Sequence, residues 1–148
     1  MIPRDDMVSI HRARPQDVNS VYRLVTSISE FAASGETRFF KREELKEWIG
    51  RRDSVVLVAQ DKGNIIGFLF AKIISKHWCM LDSIAVNPRY RNKGIGKQLL
   101  DKLYAILKRK GVDYMQGLVD VGQGKTRAFW KKRGFKEGNS FVWIEKYL

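Results

Sequence analysis

Three strand-like runs crowd into the stretch between Ser54 and Val86, and this constrains the fold more than any other feature. Ser54 to Gln60 is β-branched and apolar, Asp61-Lys62-Gly63-Asn64 spells a turn, and Ile65 to Ser75 completes a hairpin. Trp78 to Val86 follows almost at once and is stopped by Asn87-Pro88. Links this short join antiparallel neighbours, because a parallel return needs a long crossover. Gly67, inside the second run, marks a bulge or a point of close approach.

The flanking sequence supplies helices to cover that sheet. Met7 to Arg14 reads as a short strand, and Pro15 opens a helix with a Val18, Val21, Tyr22, Val25, Ile28 stripe. Ser34 to Thr37 is a loop and Lys41 to Ile49 a charged helix. The longest helix runs from Gly94 to about Lys110, buries Ile95, Leu99, Leu103, Ile106 and Leu107, and closes at Gly111. Tyr114 to Val121 is a strand, Lys125 to Lys132 a short helix, and Phe141 to Tyr147 a final strand. The expected class is α/β (α+β), in the order β-α-α-β-β-β-α-β-α-β: a mixed, largely antiparallel sheet flanked by helices. At 148 residues and 44% hydrophobic content, residues 1–148 suit one domain with one core.

One cysteine, Cys79, allows neither an internal disulfide nor a cysteine zinc cage, and two histidines, His11 and His77, do not suggest a metal site. Arg4, Asp5 and Asp6 interrupt any signal-like start, and the apolar stretch from Gly63 to Ala71 is far too short to cross a bilayer. A reducing, cytoplasmic setting is the expectation.

The net charge of +12 is uneven. Residues 1–86 hold 13 Lys/Arg against 11 Asp/Glu, whereas residues 87–148 hold 15 against 5. The C-terminal part should therefore attract an anion, whether nucleic acid, an acidic partner or a phosphorylated cofactor; the plainer alternative is a solubilising surface.

Arg89 to Leu100, "RYRNKGIGKQLL", has the context an anion needs: a strand, a loop, then a helix N-terminus whose first amides lack intrahelical partners. Gly94 and Gly96 permit close backbone approach, and Arg89, Arg91, Lys93 and Lys97 surround it with cations. Other phosphate motifs fit badly. A dinucleotide loop wants a third glycine where Leu99 stands, and a Walker loop ending at Gly96-Lys97 meets Arg91 and Gln98. Gly124-Lys125-Thr126 also ends like a Walker loop, but Val119 occupies the required glycine position.

"RNKGIG", Arg91 to Gly96, follows "LDSIAVNPRY" and resembles the [QR]-x-x-G-x-[GA] loop of the GCN5-related N-acetyltransferase (GNAT) family. The resemblance extends through "IIGFLF" and the closing "RGF" and covers nearly the whole chain. It implies transfer of an acetyl group from acetyl-coenzyme A to a primary amine by direct attack in a ternary complex. The acceptor would be a peptide or protein N-terminus, a lysine, or a small amine. Arg91, Asn92, Lys93, Gly94, Ile95 and Gly96, with Lys97, would hold the pyrophosphate. The Ile84, Ala85 and Val86 backbone would bond the pantetheine arm where the fourth and fifth strands part, at Ile84–Val86 and Leu118–Asp120. The Val86 amide would polarise the thioester carbonyl.

The resemblance makes Asp82 the candidate base, placed by strand alternation on the face of Ile84 and Val86. The competing reading is a structural Asp paired with Lys72. His77 is the second base candidate, or a strand-end surface residue; Glu30 and Glu36 would meet a cationic acceptor or simply face solvent. Trp130 stands where relatives often carry the tyrosine that protonates the departing thiolate, and an indole N–H cannot do so. Trp130 is read instead as packing over the cofactor groove or in the core, and Gln123 as a pantetheine contact or helix cap. The expected enzyme needs acetyl-coenzyme A and no metal, works as monomer or homodimer, and touches neither membrane nor nucleic acid. The alternative is a non-catalytic acetyl-coenzyme A-binding or basic nucleic-acid-binding module on the same fold, with Phe129 to Arg133 as stacking residues.

Overall fold

The computed structural model describes residues 7–28 and 40–148. In chain order these form β1 (Ser9–Arg12), α1 (Val18–Thr26), α2 (Arg42–Trp48), β2 (Ser54–Asp61), β3 (Asn64–Ile73), β4 (Trp78–Val86), α3 (Ile95–Arg109), β5 (Tyr114–Gly117) and α4 (Gly124–Lys132). Single 3-10 turns precede α1 and α3, at Pro15–Asp17 and Pro88–Tyr90. The sheet runs in sequence order, β1-β2-β3-β4-β5, antiparallel except for the parallel β4–β5 pair.

Alternation along the central strands sorts two cores. Val55, Leu57, Ala59, Leu69 and Ala71 face α3, which buries Ile95, Leu99, Leu100, Leu103, Ile106 and Leu107 against them. Val56, Val58, Phe68 and Phe70 face the other way, onto Val21, Leu24 and Val25 of α1 and Leu45 of α2. Trp48 of α2 stacks on Phe70 with centroids 4.0 Å apart and planes 3° from parallel. Both faces of β2 and β3 are thus covered, which is why these strands read as continuous apolar runs.

Gly67 is the point of close approach. A Cβ there would sit 3.1 Å from Ala59 Cβ, 3.3 Å from Ile95 Cγ2 and 3.3 Å from Leu99 Cδ1, and the register shift of the hairpin lies beside it at Ile66. The missing side chain lets the first turns of α3 settle on the sheet. Gly67→Ala is expected to destabilise the fold by about 1–3 kcal/mol through overpacking, read as a lower midpoint in denaturant unfolding.

Two expectations about the C-terminal region are corrected. The fifth strand ends at Gly117, not Val121, and Leu118 and Val121 are exposed. Phe141 to Tyr147 is not a strand: Phe141 is 81% and Ile144 88% exposed. An alternating apolar pattern becomes a strand only where an edge receives it, and β5 offers a ladder of only four residues. Beyond α4 the chain is tied down by ion pairs. Arg127 grips Glu137 at 2.8 and 2.9 Å and donates to the Val121 carbonyl at 2.9 Å, and this holds the Glu137 carboxyl down at about 2.

Candidate active site

β4 is the spine of the site, and its backbone pairing decides which groups face outward. Asn87 N–H donates to Ile66 O at 2.8 Å, which makes that pair hydrogen-bonded within the antiparallel ladder. By alternation Val86 and Ile84, opposite Gly67 and Leu69, turn their N–H and C=O groups away from β3 and toward the β5 side. There the parallel ladder has already stopped, since its last pair is Leu81 with Gly117. A Cβ on Gly117 would lie 3.0 Å from Leu81 O, so glycine lets the strands close tightly before they part. The result is a fork with open strand edge along Ile84 and the Val86 amide. Ala85 does not contribute to that edge: its amide and carbonyl belong to the β3 ladder, and its side chain lies in the α1–α2 core.

The loop after β4 builds the second part. Asn87 accepts from Arg89 N–H at 3.0 Å and starts the 3-10 turn. Tyr90 reaches back to Asp61 at 3.1 Å, which fastens the loop to the β2–β3 turn. Asn92 and Gly94 have positive φ, +62° and +80°, and Gly94 is the N-cap of α3 with no side chain capping the helix. The first intrahelical bond is Gln98 N–H to Gly94 O at 3.0 Å, so the amides of Ile95, Gly96 and Lys97 precede the ladder and point out of the helix end. These are the donors an anion needs, and the helix dipole adds positive potential. The flanking cations are partly engaged elsewhere. Arg91 Nε donates to Val86 O at 3.2 Å, Lys93 lies 5.3 Å over the Tyr90 ring, and Lys97 pairs with Asp101 at 2.7 Å.

α4 forms the wall beyond the fork. Phe129 and Trp130 pack edge-to-face at 5.0 Å, and Trp130 meets Phe135 at 4.9 Å. Trp130 lies against the α3-side core, the packing role expected from sequence. Gln123 sits at the N-cap position of α4, but its Oε1 accepts from the Thr126 hydroxyl at 3.4 Å rather than from the helix amides.

Asp82 is where alternation misled. It has no partner in the ladder: Ser83 opposes Phe70, Leu81 opposes Ala71, and Asp82 is the extra residue between them. The bulge leaves Leu81, Ile84 and Val86 all on the α3 side and turns Asp82 toward its other neighbours. Ser83 Oγ donates to Asp82 Oδ2 at 3.0 Å. The Asp82 carboxyl is pushed above the usual carboxylate range, first by loss of water and then by the like charge of Glu44 on α2; Ser83 and Lys72 oppose the shift. Asp82 is nonetheless an exposed residue of β4, so its loss of water is partial. Glu44 also accepts from the Lys41 N–H at the start of α2.

The sequence reading missed Glu44, because nothing in its spacing links it to a residue 38 positions away. The glycine at position 117 was a signal available and unused. His77 lies at the opposite end of β4 from the fork, exposed and 3.7 Å from Asp113. Glu30 and Glu36 lie outside the described residues.

The sequence model of the acetyltransferase (GNAT) family matches residues 19–135. The N-acetyltransferase YhfO of Bacillus subtilis (strain 168) is 24% identical over 140 residues, covering 91% of this chain and 94% of its own. The spermidine N(1)-acetyltransferase of Thermoplasma acidophilum is 30% identical over 126 residues, covering 80% of this chain and 78% of its own. The solved PaiA N-acetyltransferase from Thermoplasma acidophilum, a complex with coenzyme A, superposes with a TM-score of 0.82 at 23% identity, over 91% of this chain and 93% of that one.

Proposed function

The chain belongs to the acetyltransferase (GNAT) family and is an acetyl-coenzyme A-dependent N-acetyltransferase, and from that premise we propose that its acceptor is a small cationic amine of the polyamine type. One observation carries this reading: on the α2 side of the β4 bulge the charge of Glu44 reaches the Asp82 carboxyl and helps to raise it. On a chain of net charge +12 these two carboxylates offer a cation an acidic contact, beside Lys72, whose charge reaches the same Asp82. The long-range field favours the anionic coenzyme, and the carboxylates meet the acceptor's charge at short range. The spermidine acetyltransferase, 30% identical, supports the same class.

The residues then divide the work. The Ile95, Gly96 and Lys97 amides, with Arg91, Asn92, Lys93 and Gly94 shaping the approach, hold the pyrophosphate. The open edge at Ile84, with the Val86 amide, bonds the pantetheine arm as an added strand would. Val86 N–H donates to the thioester oxygen as negative charge develops on it. Asp82, directly or through one water, takes the proton of the attacking ammonium, which must be neutral to form the new C–N bond. As the C–S bond breaks, water protonates the thiolate, because Trp130 has no acidic hydroxyl; a thiol with a pKa of about 8.5 leaves without a strong acid. Gln123 and Trp130 line the coenzyme wall.

Thiol release measured with spermidine, an aminoglycoside, a lysine peptide and a free peptide N-terminus tests the acceptor class. Spermidine is expected to show the highest kcat/KM, with intersecting initial-rate patterns for a ternary complex. A peptide preferred over both small amines would overturn the acceptor class. Thermal stabilisation by acetyl-coenzyme A without thiol release from any amine would favour the non-catalytic alternative.

A further inference from the structure

We propose that Arg133 is a positioning residue for the coenzyme: by clamping Phe129 it sets the distance between α4 and the first turn of α3. The inference rests on reading the Arg91–Gly96 loop as the pyrophosphate site.

α4 buries no side chain fully, so its hold on the rest of the molecule depends on the partly buried Phe129 and Trp130. The edge of the Phe129 ring points at Gly96. A Cβ at Gly96 would lie 3.2 Å from Phe129 Cζ and 3.4 Å from Cε2, so ring and helix turn already touch. The face of the same ring is covered by Arg133, whose guanidinium carbon is 3.6 Å from the centroid. Arg133 Nη1 also donates to Phe129 O at 3.2 Å, which fixes the guanidinium over the ring. Its Nε–H, however, is buried with no acceptor.

That orphan donor distinguishes this contact from ordinary helix-end capping. A lysine would satisfy the same carbonyl without burying an unmatched N–H, and exposed lysines stand at both preceding positions, Lys131 and Lys132. What a lysine lacks is the flat group that lies on an aromatic face. The arrangement gives up a hydrogen bond to keep the stack, and the stack holds the ring whose edge meets Gly96. Gly96 carries one of the outward-facing amides of the phosphate site. The chain of contact is therefore Arg133 to Phe129 to Gly96 to the anion.

The test is coenzyme A binding by calorimetry, together with steady-state kinetics, on R133K, G96A, the double variant and K132A. R133K is expected to weaken coenzyme A binding and raise the KM for acetyl-coenzyme A about fivefold to tenfold, the scale of a partly desolvated cation–π contact. Its kcat should stay within about twofold, since the reacting atoms are not touched. G96A should act in the same direction, and the double variant should lose less than the product of the two single effects. K132A removes a like charge from the same turn and should bind coenzyme A as the parent does. Wild-type binding by R133K, or equal weakening by K132A, would overturn the proposal. So would a fall in kcat that merely tracks the folded fraction. If G94V abolishes binding while R133K does not, this inference alone fails. If both bind normally, the loop assignment beneath it fails.

Discussion

The D82N protein is expected to lose kcat by about 10²-fold to 10³-fold, within the range general-base groups supply, while folding as well as the parent. The two halves of that expectation have one cause. The folded protein holds the Asp82 carboxyl above the ordinary carboxylate range, chiefly by desolvation. A carboxyl whose pKa is raised on folding contributes its stability below the unfolded value and loses it as pH rises through the folded value. At neutral pH, ionised Asp82 is therefore a small burden on the fold, and Asn relieves it. Kinetically the sign is opposite. The base must be ionised, so kcat/KM should rise with pH through the raised Asp82 pKa, and D82N should flatten that limb. A structural Asp held by Lys72 predicts the reverse pattern, with lower stability and little change in kcat. Denaturant unfolding and a pH–rate profile on the same preparation separate the two.

Gly94→Val should abolish most coenzyme binding while leaving the sheet intact. Gly94 holds φ +80° at the N-cap of α3, with nothing within 4 Å of a Cβ built there. The obstacle is thus conformational rather than steric. The left-handed region costs an L-residue roughly 1–2 kcal/mol, and a β-branched residue is the least suited to it. The loop will shift to an ordinary φ and swing the Ile95, Gly96 and Lys97 amides out of convergence. Coenzyme A affinity is expected to fall at least about tenfold, since about 1.4 kcal/mol of misplaced contact suffices for that. Gly124→Ala is the control: open space surrounds its Cβ and its φ is not left-handed, so binding should not change. Equal affinity in the Gly94 variant would sink the phosphate-site assignment.

Most of the architecture was legible. The ends of β4 agree with the sequence reading, and the α3 stripe Ile95, Leu99, Leu103, Ile106 and Leu107 is buried as the periodicity required. Each of these signals is local, because a helix or strand repeats its own face within a few residues. Strand alternation failed at Asp82 for the complementary reason: a single extra residue resets it, and the bulge is defined by the partner strand, not by β4 alone.

What the sequence by itself determined is the order of the elements from β1 to α4, the hairpin at the centre of the sheet and the glycine-bearing turn into α3. These follow from periodicity and from the backbone freedom of particular residues, both written in contiguous chain. Only the tertiary structure decided that the charge of Glu44 reaches Asp82, that Gly117 closes against Leu81 and ends β5, that Phe129 reaches Gly96, and that Phe141 to Tyr147 stays out of the sheet. Each of these depends on how closely two distant segments approach and in what register. That is a property of the packed molecule, and no single stretch of sequence carries it.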